Sequence, residues 1–315
     1  MENQTDELTE PSRTIRQALT RAGRFLETAG VETPQLDAEV LLCAVLKSDK
    51  TQLYLNAAVE LTPDHERRFK ESVLRRAARE PVAYITGHKE FWSIDFAVTP
   101  DVLIPRPETE LLVEVALEYL RHDSKCSDVT AGVRILDLGT GSGAIAMALA
   151  KELPNSVVWA VDVSAVALDV ARMNCRRHQL ENRIKFLPGD LFEPIAAGTA
   201  TFDLIFSNPP YISSEEFPRL APEIRSWEPM LALDGGEDGL RFYRRIIAQA
   251  QNYLGDGGLL LLELGDDLAA AVSEQLDRAE GYSTPSVYRD LAGKQRVIAA
   301  TTIPHNDRTR PWIRS

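Results

Sequence analysis

The sequence has few cysteines and no pattern for using them. Cys43, Cys126 and Cys175 form no CxxC pair and no zinc spacing, and an odd, scattered set fits a reducing compartment rather than a disulfide framework. No resident metal is expected. No apolar run reaches the ~20 residues needed to span a bilayer, and residues 1 to 12 are polar and acidic, without the apolar centre of a secretory leader. A cytoplasmic location with no membrane partner is therefore expected. Positive charge is also short. Lys and Arg number 35 against 47 Asp and Glu, a formal net charge of −12 with a pI near 5.0. Partners held mainly through phosphates usually need a basic face, so no direct nucleic-acid substrate is expected.

What is present is an ordinary globular composition, 315 residues with 44% hydrophobic side chains, a length that suits two domains. Residues 1 to 80 read as a helical domain. Ile15, Leu19, Ala22, Phe25, Leu26 and Ala29 recur at helical spacing, and Gly30 supplies a stop. Thr33-Pro34 and Thr62-Pro63 each read as an N-cap followed by proline in the first turn. Between 66 and 79 stand six basic residues (Arg67, Arg68, Lys70, Arg75, Arg76, Arg79) and two acidic ones, a run that reads as a solvated helix face or a docking surface. Residues 81 to 104 read as a linker with a short hairpin, because Trp92, Ile94, Phe96 and Val98 alternate. Arg106, held extended by Pro107, is either a pocket residue or part of a surface turn.

From 105 to 303 strands and helices alternate. Val133 to Leu138, Val157 to Val161, Ile184 to Leu187, Asp203 to Phe206 and Leu259 to Leu264 read as strands, with helices such as Ala144 to Leu153 and Ala165 to Arg176 between them. That order predicts an α/β, doubly wound, mostly parallel sheet, closed by an antiparallel pair near Tyr282 to Tyr288 and Gln295 to Ala300. Residues 304 to 315 read as a tail.

Gly139-Thr140-Gly141-Ser142-Gly143 follows the first of these strands and opens a helix. Such a turn lets backbone N–H groups approach a ligand at a helix start. Asp162 ends the next strand, about 20 residues on, where a carboxylate can accept from a ribose diol. Gly139, Gly141 and Ala144 formally satisfy a dinucleotide fingerprint. Asp137, inside the first strand, would repel a pyrophosphate and attract an ammonium, so S-adenosyl-L-methionine fits better than NAD. Asp190, in Pro188-Gly189-Asp190-Leu191, either bonds an adenine amino group or caps the next turn.

The other distinctive stretch is Phe202 to Tyr211. Leu204-Ile205-Phe206 is a buried strand, and Ser207-Asn208-Pro209-Pro210-Tyr211 cannot continue it. Asn208 and Tyr211 are thus mounted on a stiff elbow at the strand's carboxyl end, where open α/β sheets bind ligands. The Asn208 side chain and a proline-fixed carbonyl are two acceptors suited to a planar –NH2 group, and Tyr211 offers a face for stacking. The plain alternative is a turn.

Together these motifs imply methyl transfer to a planar exocyclic nitrogen. The chain resembles the HemK family of protein-(glutamine-N5) methyltransferases from Thr33 to Ala300. The resemblance is carried by Glu80-Pro81-Val82-Ala83-Tyr84-Ile85-Thr86-Gly87, Glu90-Phe91-Trp92 and Ile104-Pro105-Arg106-Pro107-Glu108-Thr109-Glu110. It continues through Glu228-Pro229, Gly235-Gly236-Glu237-Asp238-Gly239-Leu240, Tyr243-Arg244, Asp290 to Gly293 and Arg296-Val297. It implies a class I adenosylmethionine-dependent methyltransferase domain with a Rossmann-like sheet over 105 to 303, and a substrate-docking role for residues 1 to 80. It further implies that Gly139, Thr140, Gly141, Ser142, Gly143, Asp162, Asp190, Leu191 and Asn208 hold the cofactor. Asn208, Pro209, Pro210 and Tyr211 would hold the glutamine of the Gly-Gly-Gln motif of class I peptide chain release factors. Asp266-Asp267 departs from the family's usual glutamine, and Leu191 stands where some relatives carry an aromatic. The alternative substrate is an exocyclic amine of a nucleic acid, adenine N6 or cytosine N4, since enzymes of that kind share the elbow.

Overall fold

A computed structural model describes residues 14–122, 132–196 and 201–303. The polar start of the chain, Cys126 and the tail from 304 lie outside the described residues. The chain partitions into two compact units, one of residues 1 to 88 with Ala221–Trp227, the other of Lys89–Leu220 with Glu228–Ser315.

The first unit is helical. α1 (Ile15–Thr28) starts with a reciprocal capping box, Thr14 bonding the Gln17 backbone and Gln17 reaching back. α2 (Pro34–Leu46) has proline in its first turn, but the Thr33 hydroxyl donates to Asp37 instead of capping. α3 (Lys50–Leu55), α4 (Pro63–Ala77) and α5 (Val82–Thr86) follow, with Thr62 capping α4 through the His65 N–H. Leu26, Leu41, Leu42, Leu53 and Val73 form the core of this unit. Residues 82 to 86, expected in the linker, are helical, and Val82 and Ile85 pack on that core.

Part of the basic run is not a solvated face. Arg76 is buried and bonds Asp37 at 2.6 Å and Glu223 at 2.9 Å, while Arg79 bonds Glu223 at 2.8 Å and Arg75 holds Glu80. Arg75 and the outer part, where Arg67 pairs with Asp64 and Glu71, are exposed. Burial raises the Glu223 carboxyl, but the bonds from Arg79 and Arg76 outweigh it and hold the group below its ordinary value.

The second unit opens with a hairpin, β1 (His88–Phe91) and β2 (Ile94–Ala97). Trp92, expected in the strand, sits in the turn with Ser93, both at positive φ (52° and 54°). Phe91 and Phe96 are buried in this unit's core. After a 3-10 turn at Pro107–Thr109 come α6 (Glu110–His122), β3 (Arg134–Leu138), α7 (Ala144–Glu152), β4 (Val157–Asp162), α8 (Ala165–Arg177), β5 (Ile184–Pro188) and β6 (Phe202–Ser207). Two short strands, β7 (Ile212–Ser213) and β8 (Asp234–Gly236), pair beyond the elbow, with α9 (Pro222–Trp227) between them in sequence. α10 (Arg241–Ala250), β9 (Leu254–Glu263), α11 (Ala269–Arg278), β10 (Ser286–Arg289) and β11 (Gln295–Thr301) complete the unit.

The main sheet runs β10-β11-β9-β6-β3-β4-β5, parallel from β9 to β5 and antiparallel at β11 and β10. Its two faces carry separate cores. Ile135, Leu204, Phe206 and Leu261 face α6 and α7, whereas Leu136, Leu138, Ile205 and Leu262 face α10 and α11. Burial on both sides explains the unbroken apolar runs of the central strands. The first strands diverge from β3, with β4 on one side and β6 on the other, which opens a crevice at their carboxyl ends.

Candidate active site

The crevice is an open cleft whose space, about 830 Å³, is continuous with solvent. Gly139 and Gly141, Asp162, Gly189 to Leu191, and Ser207 to Pro210 line it, contributed by the ends of four adjacent strands. The Val161 carbonyl accepts from the Gly139 and Thr140 N–H groups at 2.8 and 3.0 Å, which bends the chain over β4. Gly139 and Gly141 have φ of +78° and +56°, which L side chains rarely adopt. A Cβ at either would meet nothing within 4 Å. The glycines therefore serve backbone shape and leave open space on the cleft side. That space, and a carboxylate facing it, fit a nucleoside ligand.

Asp162 accepts from the Gly141 N–H at 2.8 Å and from the Ser164 N–H at 2.9 Å. Each oxygen keeps a lone pair for a ligand hydroxyl. Burial pushes its carboxyl up, opposed by those backbone bonds. Asp190 lines the cleft without capping a turn through its side chain; its Oδ2 accepts from Arg245 at 2.8 Å. Leu191 is held at φ +52°, an uncommon conformation for a bulky residue, and its side chain is buried at the cleft wall.

Thr140, Ser142 and Gly143, expected to touch the cofactor, are not on the cleft wall. Thr140 and Ser142 are buried, and a Cβ on Gly143 would strike Met147 at 2.4 Å, so these residues pack the turn against the helices. Asn174, fully buried on α8, was invisible as a site residue. Its amide bonds the Ser142 carbonyl at 3.0 Å and both backbone groups of Ala97, tying the glycine turn to β2. The only sequence sign of it is a lone amide on the apolar face of α8.

The elbow is anchored by the Ser207 hydroxyl, which donates to the Leu138 carbonyl at 2.6 Å. Asn208 is half-buried, and its Nδ2 donates to the Thr109 hydroxyl at 3.4 Å. Pro209 and Pro210 share the cleft wall with it. Tyr211 does not. The expected stacking face is instead packed against glycines, for a Cβ on Gly265 would lie 2.7 Å from its ring, one on Gly235 would lie 2.7 Å from its backbone, and one on Gly239 would lie 2.5 Å from its carbonyl oxygen. Burial drives its hydroxyl pKa far up. Tyr211 is thus a wedge that shapes the elbow from behind. Arg106 pairs with the buried Glu228. Asp266 is exposed and pairs with Lys294 and Arg296.

A seven-stranded sheet with a reversed last pair, a polar elbow on its middle strand and a glycine turn on the neighbouring one defines a class I Rossmann-like methyltransferase. The comparisons agree. A family model of the PrmC N-terminal domain matches residues 17–87, and one of the methyltransferase small domain matches 114–224. Among solved structures, the hMettl16 catalytic domain superposes with a TM-score of 0.53 at 19% identity, over 78% of this chain and 84% of that one, a likeness of fold. Among curated proteins, the release factor glutamine methyltransferase of Moorella thermoacetica is 44% identical over 91% of this chain and 98% of its own length. That of Geobacter sulfurreducens is 43% identical over 90% and 95%. The chain belongs to the release factor glutamine methyltransferase family.

Proposed function

We propose that the protein methylates the side-chain amide nitrogen of the glutamine in the Gly-Gly-Gln motif of class I peptide chain release factors, using S-adenosyl-L-methionine. The observation that carries this is the shared wall: Asn208 to Pro210 border the same cleft as Gly139, Gly141 and Asp162. When bound, the cofactor supplies an electrophilic methyl group. Gly139, Gly141, Asp162, Asp190 and Leu191 are the residues that would hold it.

An amide nitrogen is a poor nucleophile because its lone pair is delocalised into the carbonyl. The Asn208 Oδ1 and the Pro209 carbonyl accept its two N–H bonds, which fixes the direction of the nitrogen and polarises it. Proline-locked φ keeps these acceptors in place before the substrate arrives, so little reorganisation is left for the reaction. The nitrogen becomes strongly acidic as it is alkylated, so the chain need supply no general base. A cytoplasmic location and release-factor partners belong to this same reading. No helix among the described residues is long and apolar enough to cross a membrane.

The experiment offers labelled adenosylmethionine with a purified release factor, the same factor with the Gly-Gly-Gln glutamine replaced by alanine, and nucleic acid. Label on the intact factor alone is the expected result. Label on nucleic acid instead would overturn the substrate assignment.

A further inference from the structure

The carboxyl edge of the sheet holds an acid that the mechanism above leaves without a task. Glu263, the last residue of β9, is 1% exposed, and its Oε2 has no hydrogen-bond partner. An unpartnered buried carboxyl oxygen is costly, so the position is informative. Register brings it beside the elbow. β6 and β9 run parallel with Ser207 opposite Leu262, so Asn208 and Glu263, the next residue on each chain, come side by side. Alternation from Phe206 and Leu261 turns both toward the face covered by α6. Thr109, buried at the end of the 3-10 turn before α6, stands over them. Its hydroxyl accepts from Asn208 Nδ2 at 3.4 Å, and Thr109 is among the neighbours that hold the Glu263 carboxyl down against burial.

A hydroxyl has one proton to give, and an ionised carboxylate has none. Facing Glu263, Thr109 must donate to it, which leaves only lone pairs for Asn208. The Asn208 amide must then present its –NH2 to Thr109 and its Oδ1 to the cleft. We propose that Thr109 and Glu263 are positioning residues that select which end of the Asn208 amide faces the substrate. The inference rests on the substrate reading above and supplies what that reading lacks, a reason for the amide not to turn round. A flipped Asn208 would set N–H against N–H.

The relay has a pH dependence. Burial pushes the Glu263 carboxyl up to about 7, with Arg296 of β11 and Arg106 opposing and Glu108 adding to the rise. Tyr211 and Tyr243 also face this charge. Protonated Glu263 can donate to Thr109, whose own proton is then free to turn toward Asn208. Turnover therefore rises with pH as Glu263 ionises.

The test uses the full chain labelled with 15N-asparagine, the Asn208 side-chain signal being assigned by its loss in Asn208→Ala. In Thr109→Val those protons should exchange with water at least about 10-fold faster, and kcat should fall roughly 10- to 100-fold with KM for the release factor little changed. Thr109→Ser should restore both. Glu263→Gln should abolish the shift of the Asn208 signal around neutral pH. Unchanged exchange and unchanged kcat in Thr109→Val would overturn the relay. If the wild-type protein leaves release factor unmethylated, the substrate reading fails on its own, and the exchange measurement still decides the relay.

Discussion

The backbone N–H of Gly141 donates to Oδ2 of Asp162 at 2.8 Å, so the carboxylate that faces the cleft also pins the glycine turn. Cofactor binding and turn geometry are therefore coupled through one side chain. Asp162→Ala should weaken adenosylmethionine binding by about 1.5–3 kcal/mol, the scale for losing charge-assisted hydrogen bonds. Asp162→Asn keeps an acceptor for Gly141 and should lose less. Calorimetry with both variants checks this, and equal affinities for wild type and Asp162→Ala would remove the residue from the site.

The central acid Asp137 makes a prediction about stability. It is 1% exposed with Oδ2 unpartnered, and burial pushes its carboxyl from 3.8 to about 8, with Asp162 adding to the rise. The folded chain therefore keeps a proton that the unfolded chain loses above about pH 4, and Asp137, buried and neutral near pH 7, does not supply the charge expected to attract an ammonium. Stability from this group is complete below that value and is lost as pH rises towards about 8. Asp137→Asn, nearly the same shape without the titration, should lose less Tm than wild type between about pH 5 and about pH 8. Parallel pH curves for the two proteins would show that Asp137 does not carry this proton.

Gly265 tests the wedge. An alanine there would put Cβ 2.7 Å from the Tyr211 ring and 3.1 Å from Leu268, so the ring must move and take the elbow with it. Overpacking of this kind costs about 1–3 kcal/mol. Gly265→Ala should remain folded with a lowered Tm and lose methylation more than it loses adenosylmethionine affinity. A fully active variant would show that the Tyr211 ring yields without shifting Asn208.

The sheet was legible in the sequence because strands buried on both faces leave short apolar runs that helical spacing does not mimic. Its reversed final pair was legible from the close spacing of the last two runs. The hairpin was half-read. Its turn, Trp92-Ser93, takes left-handed backbone without a glycine, so Trp92 passed for a strand residue. α3 and α5 were too short to show a period. Within the site, Asn208 and Asp162 announced themselves because each follows an apolar strand directly. Thr109, Asn174 and Glu263 did not, since their roles depend on register and on elements far away in sequence. The packing around Tyr211 was not legible, because a sequence cannot show that Gly235, Gly239 and Gly265 converge on one residue.

Asn208 itself provides the most direct test of the mechanism. If its Oδ1 holds an N–H of the target amide, Asn208→Ala should leave the fold intact and cut methylation roughly 10²–10³-fold, the scale for losing one preorganised polar contact at a reacting centre. Asn208→Asp separates the two ends of the amide. The carboxylate still offers acceptors to the substrate, but it has no –NH2 to give Thr109, and its charge lies close to the buried Glu263. The Asp variant should therefore keep more activity than Ala while falling well below wild type, and its negative charge should tighten binding of the cationic cofactor. Rates measured at saturating cofactor with the release factor as substrate distinguish these outcomes. Near-normal turnover by Asn208→Ala would mean that the elbow is only a turn, and orientation by Asn208 would have to be abandoned as the source of rate.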